Sequence, residues 1–121
     1  MTLEVNPGSG DVQIQLEGKP HALKCTLQAA MILSSQPDGI IGLTRRIQNF
    51  DLNAFVLVIG QGLGKQSRDL PGLIYRTGLF ELQLPCIRYL TNLANGGKPQ
   101  TVEEEVKESE EIEVSADPLE L

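Results

Sequence analysis

Two patterns of apolar spacing succeed one another along the 121 residues. Val12, Ile14 and Leu16 alternate with Gln13, Gln15 and Glu17, and Leu23, Cys25 and Leu27 alternate with Lys24 and Thr26. Period 2 places the apolar members on one side of a pleated chain, so these runs predict two half-buried strands. Glu17-Gly-Lys-Pro20 between them reads as a four-residue hairpin turn. An isolated hairpin is marginal in water, so its apolar face requires a partner layer.

From residue 26 the period becomes helical. Leu27, Ala30, Met31 and Leu33 or Ser34 mark a short helix that stops at Gln36-Pro37-Asp38-Gly39. Ile40, Ile41, Leu43, Ile47 and Phe50 define a second, with Arg45, Arg46, Gln48 and Asn49 on its polar side. Asp51 is suited to capping a third helix running to about Gln61. Its carboxylate can accept free N–H groups of the first turn and meets the positive end of the helix dipole. The stretch Ala54–Ile59 is apolar nearly all round, which predicts the central helix of the bundle. Gly60, Gly62 and Gly64 then read as a flexible end. Asp69 is placed to cap a fourth helix, with Pro71 in the first turn, and Gly78 separates it from a fifth. That last helix carries Leu79, Leu82, Cys86, Ile87, Leu90, Leu93 and Ala94, contains Pro85, which should kink or divide it, and stops at Asn95-Gly96-Gly97.

The expected fold is therefore α+β: an N-terminal β-hairpin packed on four to five short helices. Residues 1–10, ending in Asn6-Pro-Gly-Ser-Gly10, read as a flexible arm, 11–97 as a single domain and 98–121 as a disordered acidic tail. Charge supports that division. Residues 1–99 hold nine bases and seven acids, whereas 100–121 hold one base and nine acids, so a body of net +2 carries a tail of net −8. The acidic isoelectric point belongs to the tail.

Met1–Gly10 lacks a basic start followed by an apolar stretch, and the longest apolar run falls far short of the roughly 20 residues that span a bilayer. The expectation is a soluble, intracellular protein with no membrane partner. The two cysteines, Cys25 and Cys86, read as reduced apolar core residues.

Gly60-Gln-Gly-Leu-Gly-Lys-Gln-Ser67 invites comparison with a phosphate-binding loop. The loop would need Gly where Ile59 stands and Ser or Thr where Gln66 stands, and it would link a strand to a helix, so the segment reads as a glycine-rich helix terminus. His21 is the sole histidine, too few for a zinc site with two distant cysteines. A His21–Cys25 nucleophile pair is opposed by the alternation, which turns Cys25 inward, and body carboxylates are too scattered for paired acid–base work. No catalytic, metal or cofactor residue is assigned. The candidate contact residues are basic Arg45 and Arg46, which Arg76 and Arg88 would extend, and acidic Glu103, Glu104 and Glu105 of the tail. A body of net +2 is weak for nucleic acid, so no nucleic-acid partner is expected and a small DNA-binding regulator is the least favoured reading.

The order of a short Gly-turned strand pair, Leu27 to Leu33, Gly39-Ile-Ile-Gly-Leu43, Arg46-Ile47, Phe55-Val-Leu-Val-Ile-Gly-Gln-Gly-Leu-Gly64, Tyr75-Arg-Thr-Gly-Leu79, Pro85-Cys-Ile-Arg-Tyr-Leu90 and Leu93-Ala-Asn-Gly-Gly97 resembles the small tail protein of gene transfer agents and related siphophages. That family is labelled tail tube protein or tail assembly chaperone. The likeness covers about residues 10–97; Ser34-Ser-Gln36, where a more acidic helix end is common, and the long acidic tail depart from it. It implies non-enzymatic work in the cytoplasm of a bacterial host or on a virus-like particle, namely holding tail tube or tape-measure subunits ready for assembly; apart from the resemblance, self-association is a further partner contact expected of the chain. A structural tail tube or tail-completion subunit is the alternative. Two strands, against the four to six of a typical sheet, favour the chaperone.

Overall fold

The hairpin turn sets everything downstream of it. In the computed structural model, which describes residues 10–65 and 67–99, Glu17 and Gly18 both take positive φ, 52° and 83°. That is the two-residue turn whose twist matches a right-twisted strand pair. Leu16 consequently pairs with Lys19, and the antiparallel strands are β1 (Val12–Leu16) and β2 (Lys19–Leu23). The four-residue turn expected from Glu17–Pro20 is thus corrected, and the second strand moves back by four residues. Cys25 and Leu27 lie beyond it. The alternation along β1 holds, with Val12, Ile14 and Leu16 buried and Gln13 and Gln15 exposed.

Five helices follow: α1 (Leu27–Ser34), α2 (Gly39–Gln48), α3 (Leu52–Leu63), α4 (Leu70–Thr77) and α5 (Leu79–Ala94). The α+β class and the hairpin-plus-helices order are as the spacing predicts. The Thr26 hydroxyl accepts from the Ala29 N–H at 3.0 Å and starts α1; Asp51 does the same for α3, accepting from Asn53 at 3.0 Å. Asp69 precedes α4 in a helical conformation and makes no side-chain cap, so that expectation fails. Pro85 does not divide α5, which runs as one helix.

Helix α2 ends two residues before Phe50. Phe50 takes φ 61°, its N–H bonds the Ile47 carbonyl at 3.1 Å, and the Asp51 N–H bonds the Arg46 carbonyl at 2.9 Å. This is the paired closure that normally has glycine at the left-handed position. Phe50 is therefore outside the apolar stripe of α2; its ring leaves the core and meets Phe80, centroid to centroid at 4.8 Å. Helix α5 closes the same way with glycines, Gly96 bonding Leu93 and Gly97 bonding Asn92.

The core is built around α3, which touches α1, α2, α4, α5 and β2. Ala54, Phe55, Val58 and Ile59 of α3 are buried against Leu23, Leu33, Leu43, Ile47, Ile74, Leu82, Tyr89 and Leu90. The central position predicted for this helix holds. Leu57 is only half-buried, so its neighbours, not Leu57, carry the centre of the packing. Residues 60–63 are helical instead of forming a loose end. Gly62 is required there, because a Cβ on it would stand 2.8 Å from Leu23 Cδ2 and 2.9 Å from Leu23 Cβ. The same close approach lets the Lys24 N–H bond the Gly62 carbonyl at 2.8 Å. Residues 1–9 and 100–121, which include most of the expected arm and tail, lie outside the described residues.

Candidate functional site

The basic face expected from Arg45, Arg46, Arg76 and Arg88 divides between separate parts of the fold. Arg45 and Arg46 end α2, where a cation is favourable beside the last carbonyls. Arg45 points to solvent, whereas half-buried Arg46 reaches back over the α1–α2 turn, its Nη2 3.5 Å from the Pro37 carbonyl. Arg76, on α4, is drawn to the hairpin turn: its Nε donates to Glu17 Oε2 at 2.7 Å. The Glu17 carboxylate favours the charged guanidinium and pushes its pKa further up. Arg88 is exposed on α5. Glu103, Glu104 and Glu105 lie outside the described residues.

The glycine-rich segment lines a cleft of about 470 Å³ between the first turn of α1 and the last turn of α3. Lys24 and Lys65 stand at its rim with Gln28 and Gln61, and Ala29 and Ile32 contribute apolar wall. The segment arrives as a helix C-terminus. Gly64, at φ 76°, donates its N–H to the carbonyls of Gly60 and Gln61 at 3.0 and 3.2 Å, so that donor is not presented to a ligand. The geometry is that of a helix stop, not of a loop whose N–H groups surround a phosphate.

Polar groups gather at one further place, where the start of the domain meets the end of α5. The Asn92 amide donates to the Gly10 carbonyl at 3.0 Å, and the Cys25 thiol donates to the same oxygen at 3.3 Å. Asp11 accepts from the Cys25 N–H at 3.1 Å, and the Tyr89 hydroxyl donates to the Lys24 carbonyl at 2.7 Å. Burial, then the Asp11 charge, pushes the Cys25 thiol up to about 11, and burial pushes Cys86 up to about 12. Tyr89 is raised as well, by burial and then by Cys25 and Asp11. Both cysteines are free, Cys86 buried and Cys25 half-buried instead of fully inward. Such thiols are held protonated, the unreactive form. The cluster is a clasp between chain segments. His21 stands apart on β2, opposite Ile14.

What the spacing did not disclose is the outward apolar surface. Leu27 and Met31 of α1 are 77% and 63% exposed, while Ala29 and Leu33 carry the core face. Ile41 on α2 is 69% exposed, one turn from Arg45. On α5, Phe80 and Leu84 are 82% and 64% exposed. The available signal was a surplus: α1 and α5 each carry apolar residues on two faces, and only one face of each can be inside. Comparison with family models, with curated proteins and with solved structures finds no match. Among the described residues no helix is long and apolar enough to cross a membrane.

Proposed function

We propose that the protein is a tail assembly factor of a phage or gene transfer agent, a chaperone that binds tail tube or tape-measure subunits. The observation that supports this reading is the outward apolar side chains of the first two helices: Leu27 and Met31 stand one turn apart in solvent on α1, and on α2 exposed Ile41 stands one turn from exposed Arg45. Large apolar side chains grouped on helix faces mark contact surfaces, and Met and Arg are enriched at such contacts. Met31 adds an unbranched, adaptable side chain suited to a partner held only transiently. The likeness of the order of segments over about residues 10–97 to gene transfer agent and siphophage tail proteins supplies the partner class. No nucleotide turnover belongs to this function.

Co-expression tests it. The cognate tail tube or tape-measure protein gains soluble yield and co-elutes with this protein at about 1 µM affinity, or about −8 kcal/mol, and Leu27→Glu with Met31→Glu abolishes both effects. An unchanged soluble fraction with no co-elution at tens of micromolar defeats the proposal, as does ATP hydrolysis that Lys65→Ala abolishes. Mass spectrometry of purified particles separates the roles, since an assembly factor is missing and a tube subunit abundant.

A further inference from the structure

Helix α5 turns six buried side chains, among them Leu82, Cys86, Tyr89 and Leu90, toward the core. On its opposite face Phe80 and Leu84 stand one turn apart in solvent, and Ile87 is half-buried beyond them. Phe50 widens the stripe on one side through its ring contact with Phe80. Phe50 is held in the left-handed region, which disfavours any side chain, and the result is an aromatic pair at the surface instead of one in the core.

The charges on the other side of the stripe say what covers it. Glu81 and Arg88 are both exposed and seven residues apart, so at about 100° per residue they lie on the same edge, two turns from one another. Neither takes part in an ion pair among the described residues. When a helix packs on its own copy antiparallel about a two-fold axis, each edge meets itself in reverse order. An axis beside Leu84 then brings Glu81 of each copy to Arg88 of the other, twice, and sets Phe80 near the other copy's Arg88, a favourable cation over an aromatic ring. A parallel pairing about a two-fold axis would put the Glu81–Arg88 edges of the two copies on opposite sides of the seam, where neither edge meets the other. The pattern is self-complementary in one orientation only.

We infer that the protein forms a two-fold symmetric homodimer through the outer face of α5, with Phe80 and Leu84 at its centre and reciprocal Glu81–Arg88 pairs at its edge. This interface is separate from the α1 and α2 surface proposed to bind a tail subunit, so either proposal can fail alone. Few apolar anchors make it a weak dimer, with a dissociation constant of about 10–100 µM.

Sedimentation equilibrium of the full chain up to about 500 µM reads the assembly directly. The unmodified chain reaches the dimer mass. Glu81→Arg alone and Arg88→Glu alone each place like charges opposite one another and raise the dissociation constant about 10-fold or more. Mixing those two variants restores dimers as heterodimers, and combining both changes in one chain restores the homodimer. Leu84→Glu gives a monomer with an unchanged circular dichroism spectrum. A chain that is monomeric throughout that range overturns the inference and leaves the face to a different protein. A dimer indifferent to both charge reversals overturns it equally, since its interface lies elsewhere.

Discussion

The Asn92 side-chain amide donates to the backbone carbonyl of Gly10 at 3.0 Å, across 82 residues of sequence. It does so from a helix end whose own backbone is closed by Gly97, and Gly10 packs so tightly there that a Cβ on it would stand 2.6 Å from the Gly97 carbonyl oxygen. The beginning and the end of the domain thus hold one another, and the hairpin is anchored to the bundle by more than its apolar face.

This contact predicts the effect of Asn92→Ala. Asn92 is the one buried polar residue among those described. Removing its amide leaves the Gly10 carbonyl with only the weak thiol donor of Cys25, and urea unfolding should show a loss of about 1–3 kcal/mol. A change under about 0.5 kcal/mol would mean that water replaces the amide without penalty. Gly10→Ala should act in the same direction, because it meets both the contact and a φ of 78°.

Glycines within the helices should respond in opposite ways. Alanine normally stabilises a helix interior by about 1 kcal/mol over glycine. Gly72→Ala should gain less than that amount, because its new methyl would stand 3.0 Å from Arg76 Nη1 and shift a guanidinium paired with Glu17 at the exposed hairpin turn. Gly62→Ala should lose stability against Leu23, and Gly42→Ala should lose more, because its methyl would run into the Pro37 carbonyl oxygen, a backbone atom that cannot swing aside. Melting temperatures of the three variants provide the check. A stabilised Gly42→Ala chain would show that the α1–α2 turn shifts freely.

Truncation along α3 should separate centre from margin. Phe55→Ala should cost about 3–5 kcal/mol and Ile59→Ala about 2–5 kcal/mol, as both are fully buried. Leu57→Ala, at a half-buried position, should cost less than either. Denaturant midpoints compared at constant slope test the order, and a larger loss at Leu57 would redraw the packing.

Alkaline pH should unfold the domain through its buried thiols and phenol. Cys86 is raised from 9.0 to about 12 and Cys25 from 9.0 to about 11, with Tyr89 shifted upward as well. Above about pH 9 the unfolded chain releases protons that the folded chain retains, so the stability they contribute is present below that pH and declines as pH rises toward 11–12. Each retained proton steepens the decline by about 1.4 kcal/mol per pH unit. Cys86→Ala should be less stable at neutral pH and show a shallower alkaline slope. An unaltered slope would mean that Cys86 ionises freely in the folded state.

Composition alone carries one further expectation, that residues 100–121 are dispensable for folding. A chain ending at Pro99 should melt within about 5 °C of the full chain, equivalent to roughly 1 kcal/mol for a domain of this size. A larger drop would show that the acidic segment docks on the body.

Local chemistry determined a great deal here. Asp51 before an apolar run, Pro71 in a first turn, Asn95-Gly96-Gly97 after the last helix and the alternation of Val12, Ile14 and Leu16 each act through neighbours a few residues away, so the class, the order of elements and the centrality of α3 were readable without the fold. Which of two apolar faces goes inside was not. Leu27 and Met31 look as suited to a core as Ala29 and Leu33, and Phe80 and Leu84 look more so than Cys86; only the position of α3 beneath α1 and α5 decides between them. Phe50 illustrates the same point. Its spacing continues the stripe of α2, but Asp51 begins the next helix, and closing one helix while opening another forces Phe50 into the left-handed region with its ring on Phe80. Burial depends on the summed geometry of several helices, whereas capping depends on one, and for that reason the elements were legible in the chain while its exposed apolar faces emerged only in the folded structure.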